Sequence, residues 1–193
     1  MRLALATLLL LAAPLAAGDR DEQEEKLEDL DEISSLLNEL ASDDAVSPDQ
    51  RFLHERVERL LVRAREAPAG SYLFDRLDDA MGDLLEASEE LLAARRQDHE
   101  EDAEEDAQRR TARDLERSYF RVKQSDYFAR QSREADAAGY VELAQRLYQH
   151  ARSSYDAGRY WQARRFAEAA REVVFGLEGL AQAAVPIPDP PTL

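Results

Sequence analysis

The hydrophobic residues of this chain recur at steps of three and four almost throughout, which is the spacing of amphipathic α-helices. No run of β-branched residues alternates with polar ones, as a half-buried strand would require. The first apolar stripe lies in a segment whose other positions are mostly charged, and it consists of Leu27, Leu30, Ile33, Leu37 and Leu40. The stripe predicts a first helix. It is also narrow enough for a coiled-coil seam between two copies, over about two heptads.

The second and third helices have recognisable starts. Ser47, Pro48 and Gln50 fit the N-cap, first and third positions of a helix, so that the serine and the glutamine form a capping box. Residues 67–70, Ala-Pro-Ala-Gly, end this helix, and Ser71 is placed to cap the third. The residues predicted to face the core are Leu53, Val57, Leu60, Leu61 and Ala64, followed by Phe74, Leu77, Met81, Leu84, Leu85, Leu91 and Leu92.

A long charged segment follows the third helix. Between Arg95 and Arg113 the only apolar residues are three alanines, and neither glycine nor proline occurs between Gly82 and Gly139. Glu, Gln, Arg and Ala favour a helix here, whereas like charges four residues apart oppose it. We therefore predict a solvent-exposed helical connector or hinge at residues 97–113.

The C-terminal half predicts three further helices and a tail. The expected inward residues are Leu115, Tyr119, Val122, Phe128, Ala129, then Val141, Ala144, Leu147, Ala151, Tyr155, then Ala163, Phe166, Ala167, Ala170, Val174 and Leu177. Residues 137–139, Ala-Ala-Gly, predict a turn before the fifth helix, and Gly158 predicts its end. Gly176 and Gly179 either permit a close helix contact or mark fraying. The prolines of residues 185–193 predict an extended, polyproline-like tail.

The fifth and sixth helices resemble one unit of a tetratricopeptide-type helical hairpin. The matching residues, within residues 144–177, are Ala151, Tyr155, Gly158, Tyr160, Ala163 and Ala170. The chain departs from the family pattern at Leu147, which stands at the early tryptophan position, and at Ala167, where a large residue is expected. No proline closes the unit and no second copy follows, whereas such arrays need about three units. The resemblance implies a protein-binding role.

Together these patterns predict an all-α fold, an elongated bundle of about five or six helices. We expect acidic N-terminal helices at residues 19–96, the charged connector at 97–113, C-terminal hairpins rich in aromatic residues and arginine at 114–184, and the tail at 185–193. Residues 1–18 have the pattern of a secretory signal peptide. Their short positive start precedes an apolar run that is shorter than the roughly 20 residues needed to span a bilayer.

Composition narrows the compartment and the partners. The chain has no cysteine, which excludes disulfides, thiolate metal sites and a cysteine nucleophile. Basic residues are nearly all arginine and alanine is abundant, as in GC-rich bacterial genes, so we expect a periplasmic or secreted protein. Residues 19–106 carry 30 acidic and 10 basic residues, whereas residues 107–193 carry 11 and 14. The acidic half disfavours nucleic acid and membrane surfaces as partners, and the contrast between the halves favours self-association or a protein partner.

Few residues carry recognisable chemistry. His54, His99 and His150 are the only histidines, and no metalloprotease, serine-hydrolase or phosphate-loop motif occurs, so we expect neither catalytic residues nor a cofactor. The best candidates for a metal site lie in the acidic segment at residues 98–106, whose carboxylates suit weak Ca²⁺ or Mg²⁺ binding. These candidates are Asp98, Glu101, Asp102 and Glu105. A solvated run of charge is the favoured interpretation.

The aromatic residues concentrate in the C-terminal half and supply the candidates for a partner-binding surface. Exposed aromatic residues beside arginines are typical of interface hot spots, although packing against the first three helices is the simpler explanation. The candidates are Tyr119, Phe120, Arg121, Tyr127, Tyr160 and Trp161. The leading hypothesis is an exported, non-enzymatic interaction protein of the cell envelope: a scaffold, an adaptor or a chaperone-like binder. The alternatives are an acidic divalent-cation binder or buffer, and an unrecognised enzyme.

Overall fold

The computed structural model describes residues 17–42, 46–96 and 104–185, and every regular element within these ranges is an α-helix. The helices are α1 (Ala17–Ala41), α2 (Pro48–Glu66), α3 (Tyr72–Arg96), α4 (Glu104–Gln131), α5 (Ala137–Asp156) and α6 (Tyr160–Ala183). The prediction of an all-α bundle is confirmed. Nearly all of the predicted signal peptide, residues 97–103 of the predicted connector and residues 186–193 of the predicted tail lie outside the described ranges. None of the described helices has the length and apolarity needed to cross a bilayer.

Local capping fixes several helix ends as the sequence predicts. The hydroxyl of Ser47 accepts a hydrogen bond from the N–H of Gln50 (3.0 Å), and Gln50 Oε1 accepts one from the N–H of Ser47 (3.1 Å). The hydroxyl of Ser71 accepts a hydrogen bond from the N–H of Phe74 (3.2 Å) at the start of α3. Gly158 ends α5 in the left-handed region, at φ +74°. A serine cap of this kind stabilises a helix by about 1 kcal/mol.

α3 and α6 form the central helix pair. They run antiparallel, because Gln162 Nε2 donates to the Ala94 carbonyl (3.2 Å) at one end and Arg76 donates to Gln182 Oε1 (3.2 Å) at the other. The contact therefore covers 18 residues of α3, about 27 Å at the rise of an α-helix. α1 and α2 pack on α3, while α4 and α5 pack on α6.

Two glycines allow this central pair to approach closely. A Cβ atom on Gly176 would lie 3.0 Å from the side chain of Leu84 and 3.2 Å from the carbonyl oxygen of Ala80. A Cβ atom on Gly179 would lie 3.2 Å from the Cβ of Ala80. Of the two alternatives for these glycines, close helix contact is the one that the structure shows.

The leucine stripe of α1 packs within its own chain, against α2 and α3. Leu30, Leu37 and Leu40 are buried and Ile33 is half-buried, whereas Leu27 is 52% exposed. The apolar face of α1 that could have formed a coiled-coil seam with a second copy is thus largely covered by α2 and α3.

Lys26 attaches α1 to the end of α2. Its ammonium group donates to the backbone carbonyls of Arg65, at 3.0 Å, and of Ala67, and lies 5.4 Å from the ring centroid of Phe74. The side chain is buried, at 4% exposure. Because the last carbonyls of a helix have no partner within it and carry partial negative charge, this lysine caps α2 from a neighbouring helix.

The turn predicted at residues 137–139 is wrong. These residues open α5, and the turn lies at residues 132–136 instead. Gly139 is needed for packing rather than for a turn, since a Cβ atom there would lie 2.9 Å from Cζ of Phe52 on α2. The ring of Phe52 in turn packs edge-on against Tyr140, which is 1% exposed.

Arginines of α2 hold the turn at residues 132–136. Arg56 and Arg59 both reach the carboxylate of Asp136, at 2.5 and 2.8 Å, and Arg63 pairs with Glu134. Asp136 precedes α5 at the N-cap position, yet its side chain makes no capping hydrogen bond to that helix. Its carboxylate is used to join the turn to α2.

α4 continues across the boundary predicted at residue 113. It begins at Glu104, so residues 104–113 are its first turns rather than a separate connector. Thr111 is 2% exposed, and its hydroxyl donates to the carbonyls of Ala107 (2.8 Å) and Tyr160 (3.2 Å). The segment is therefore anchored to the start of α6 by a polar side chain, which apolar periodicity does not register.

Gly176→Ala is expected to destabilise the protein by about 1–3 kcal/mol, because the added methyl group meets a backbone carbonyl that moves only with its helix. Gly82→Ala on α3 is the matched control. No atom lies within 4 Å of the new Cβ, so the gain in helix propensity raises stability by up to about 1 kcal/mol. Urea unfolding of both variants measures the difference. Equal stabilisation by the two alanines would contradict the close contact.

Lys26→Met is expected to lower the free energy of unfolding by about 1–3 kcal/mol, because it keeps the length of the side chain and removes its charged hydrogen bonds to the end of α2. The only other lysine, Lys123, lies exposed on α4, and Lys123→Met should change stability by less than about 0.5 kcal/mol. Thermal melts followed by circular dichroism compare the two. A Lys26→Met protein as stable as the Lys123→Met protein would show that the cap contributes nothing.

Candidate functional site

A groove runs between α4 and α5 on the surface of the bundle. Three adjoining cavities of about 560, 370 and 420 Å³ line up along it, from Ala112 to Arg130 on α4. The first two cavities share Tyr119 and Tyr148, and the last two share Asp126. The helices are antiparallel here, and 18 residues of α4 correspond to about 27 Å of groove.

Aromatic rings line one end of this groove. The ring centroid of Tyr119 lies 5.9 Å from that of Tyr148 and 5.6 Å from that of Phe120. Tyr119 is 42% exposed and Phe120 is 60% exposed. Tyr155 also lines the 560 Å³ cavity of the groove. Large apolar side chains left this accessible next to one another are what a binding surface requires.

Small hydroxyl residues on α4 explain why the rings face outward. The predicted inward position of Tyr119 is wrong, because Ser118 and Ser125 are the buried residues on either side of Val122, both at 0% exposure. The hydroxyl of Ser118 donates to the carbonyl of Ala167 on α6 at 2.7 Å. A short side chain at this step brings α4 close to α6, so the neighbouring Tyr119 lies on the outer surface.

The other predicted partner-binding residues do not join this cluster. Tyr127 is 63% exposed but does not line the cavities of the groove. Arg121 faces α6, where it pairs with Glu178 at 2.7 Å and stacks 4.3 Å from the ring centroid of Phe175. Tyr160 and Trp161 are half-buried at the start of α6.

Sequence reasoning missed the contribution of α5 to the groove. Tyr148, Arg152 and Tyr155 line the 560 Å³ cavity of the groove. Tyr148 and Tyr155 are seven residues apart, which places them on one face of a helix. That spacing, together with the tyrosines of α4, was the sequence signal that could have indicated an aromatic surface shared by α4 and α5.

The histidines and the metal candidates make no comparable site. His54 is 6% exposed, and its Nε2 lies 2.8 Å from the hydroxyl of Ser88. Burial lowers the pKa of His54, against the opposing charge of Glu58. Ser88 is fully buried and lines none of the cavities described here, so the pair joins α2 to α3.

Within residues 17–42, 46–96 and 104–185, no three His, Asp or Glu side chains are arranged to hold a metal ion. The candidates Asp98, Glu101 and Asp102 lie outside the described residues, as does the side chain of Glu105.

A second concave surface, the acidic cleft, lies along the edge of the α3–α6 contact. This cavity of about 740 Å³ is lined by the carboxylates of Asp78, Asp79, Asp83, Glu86, Glu172 and Glu178, together with Arg76. Burial, followed by the charge of Glu172, raises the pKa of Asp83 to about 7. Burial and the charge of Asp29 raise the pKa of Asp78 to about 6. Burial likewise raises the pKa of Glu172, although Arg171 lies 3.0 Å from its carboxylate.

The acidic cleft gives stability a definite dependence on pH. An unfolded aspartate loses its proton near 3.8, whereas Asp83 in the fold keeps its proton up to about 7. Between these values the folded state binds more protons, so the free energy of unfolding rises as the pH falls from about 7 towards 4. His54, whose pKa is lowered, acts in the opposite direction below its ordinary value of 6.5. A variant of Asp83 separates the two contributions.

Asp83→Asn is expected to raise stability at pH 7.5 by roughly 1–2 kcal/mol after solvent screening, and to flatten the rise in stability between pH 7 and pH 4. The amide is neutral at every pH and removes the repulsion. Asp31→Asn, at an exposed position of α1, is the control for the loss of one negative charge and should change stability by less than about 0.5 kcal/mol. Urea unfolding across this pH range measures both. An unchanged pH profile in Asp83→Asn would contradict the assignment.

Within the part of the chain that the structure describes, the α4–α5 groove combines adjacent exposed rings with a concave shape, as a binding site requires. Comparison of the chain with protein-family models, with curated proteins and with solved structures finds no match in any of the three. The candidate site is accordingly defined by its own residues, with Tyr119, Phe120 and Tyr148 at its centre.

Proposed function

We propose that this protein is an exported, non-enzymatic interaction module of the bacterial cell envelope, a scaffold, adaptor or chaperone-like protein that binds a protein segment along the α4–α5 groove. The observation that carries the proposal is the pair of exposed rings, Tyr119 and Phe120, next to the half-buried Tyr148 at two adjoining cavities. Aromatic residues supply a large contact area at small conformational cost, which is why they dominate binding hot spots.

The dimensions of the groove favour a peptide-like ligand over a small molecule. It is open along its length and extends about 27 Å, whereas a small ligand usually occupies one enclosed cavity. The side chains that form its floor are held by regular helices, and Ser118 fixes the distance between α4 and α6 from behind. A surface that is already rigid loses little entropy when a segment binds.

The sequence supports the location and the class of partner. Residues 1–18 have the charge and length pattern of a secretory signal peptide, and the chain has no cysteine to depend on the redox state of its compartment. α5 and α6 also form the helical hairpin that resembles a tetratricopeptide-type unit, a family whose members bind protein segments. These features favour an envelope protein that acts by contact.

The two alternatives rest on other residues. Divalent-cation binding depends on the acidic segment at residues 98–106, most of which the structure does not describe. An enzyme would need a reactive group at a cavity: the buried pair of His54 and Ser88 is enclosed between α2 and α3, and the acidic cleft offers carboxylates such as Asp83. The groove favours the interaction module over both.

A photo-crosslinking amino acid in place of Phe120 is expected to capture a protein partner in expressing cells. The same amino acid in place of Val62, which is 56% exposed on α2, is the control and should give no such product. Adding Tyr119→Ala to the Phe120 crosslinker chain should lower the yield at least about tenfold, as loss of a hot-spot residue does. Equal yields at Phe120 and Val62, or no effect of Tyr119→Ala, would rule out the groove as the binding surface.

A further inference from the structure

The aromatic end of the groove contains two adjacent cavities separated by one pair of rings. Tyr119 and Tyr148, with centroids 5.9 Å apart, border both the 560 Å³ cavity and the 370 Å³ cavity. Each cavity is also lined by one cation and one carboxylate, Arg152 and Glu116 at the first and Lys123 and Asp126 at the second. A ligand for this surface needs two compact apolar groups, and it meets charges of both signs.

The chain itself contains a segment with this chemistry. Residues 186–191 read Pro-Ile-Pro-Asp-Pro-Pro, and this composition favours the polyproline II helix. In that helix Pro188 and Pro191 lie one turn apart on the same edge, about 9 Å from each other. Grooves lined with aromatic rings bind such PxxP segments, because the ligand is already extended and loses little entropy. Asp189, between the two prolines, is the only charged residue of the segment.

We infer that the groove binds the proline-rich segment at residues 186–191 of a second copy of this chain, with Pro188 and Pro191 in the two cavities on either side of the Tyr119–Tyr148 pair. Asp189 then lies between the two cavities, each of which is lined by one cation and one carboxylate. This inference rests on the proposed function, since it names the occupant of the same groove.

The proline-rich segment cannot reach the groove of its own chain. α4 and α6 run parallel with a constant offset, because Thr111 donates to the Tyr160 carbonyl and Ser118 donates to the Ala167 carbonyl. α6 therefore passes the end of α4 near Leu180 and continues to Ala183. The distance along the bundle axis from the end of α4 back to the level of Tyr119 is at least about 18 Å.

The segment is too short to cover this distance. From Val185, three residues reach Pro188, which is about 9 Å in polyproline II, and six residues reach Pro191, about 19 Å. The path must also cross the width of α4, about 10 Å, before it enters the groove. A second copy has no such limit. Each copy then offers one groove and one proline-rich segment, so two copies can exchange segments in a closed dimer or associate head to tail.

Sedimentation velocity of the chain from Asp19 onward, without the predicted signal peptide, tests the inference. We expect the sedimentation coefficient to rise with concentration from micromolar to hundreds of micromolar. The double variant Pro188→Ala, Pro191→Ala and the groove variant Phe120→Ala should each weaken this association at least about tenfold. Tyr127→Ala, on the same helix and equally exposed but outside the groove, should associate like the parent. Circular dichroism confirms that all variants keep their helices.

A mixture of the two defective variants gives the decisive result. The proline variant keeps an intact groove and Phe120→Ala keeps an intact segment, so the mixture should recover about half of the binding pairs and associate. A monomeric parent chain at every concentration would overturn the inference. So would association that Phe120→Ala abolishes and the proline variant retains; in that case the groove binds another surface of the copy, and the proposed function stands. Crosslinking at position 120 tests the proposed function separately.

Discussion

The contact of α6 with α3 at Gly176 and Gly179 constrains the position of every other described helix. α3 carries α1 and α2 on its other side, and α6 carries α4 and α5, so the distance between these two helices sets the distance between the two halves of the bundle. Neither glycine has a side chain, so at these two positions α6 lies directly against Leu84 and Ala80 of α3. A larger residue at this point displaces whole helices, since the nearest obstacle at Gly176 includes a backbone carbonyl.

This close contact also crowds the charges at its edge. Asp83 and Glu172 belong to opposite helices; burial raises the pKa of both, and the charge of Glu172 raises the pKa of Asp83 further. Arg171 offsets part of the charge of Glu172. The apolar seam formed by Leu77, Leu84, Val173 and Leu177 has to exceed this repulsion for the helices to stay together near neutral pH. The same short distance that buries the leucines is therefore what gives the fold its dependence on pH.

Sequence signals that act locally predicted the structure well. The capping box at Ser47 and the end of α5 at Gly158 depend only on neighbours in the chain, and both lie where expected. Features that depend on a distant partner were mispredicted or missed. From its neighbours in the chain, Gly139 looked like a turn residue. The reason for a glycine there is the ring of Phe52, which belongs to α2 and is distant in sequence. Lys26 looked like one more charge on a solvated face, whereas it caps a helix 39 residues away in sequence.

The α4–α5 groove follows from the same principle of close approach, applied on the other side of α6. Periodicity of apolar residues assigns Tyr119 to the core, but Thr111, Ser118 and Ser125 occupy the buried positions of α4. Two of these hydroxyls donate to backbone carbonyls of α6, so α4 lies too close to it to admit an aromatic ring between them. The tyrosine is thereby left outside, against Tyr148 of α5. Each of the cavities on either side of this ring pair is lined by one cation and one carboxylate, in a chain whose net charge is −16. Because the two charges at each cavity balance, the feature that distinguishes this surface from the rest of the acidic chain is the pair of apolar cavities beside the rings.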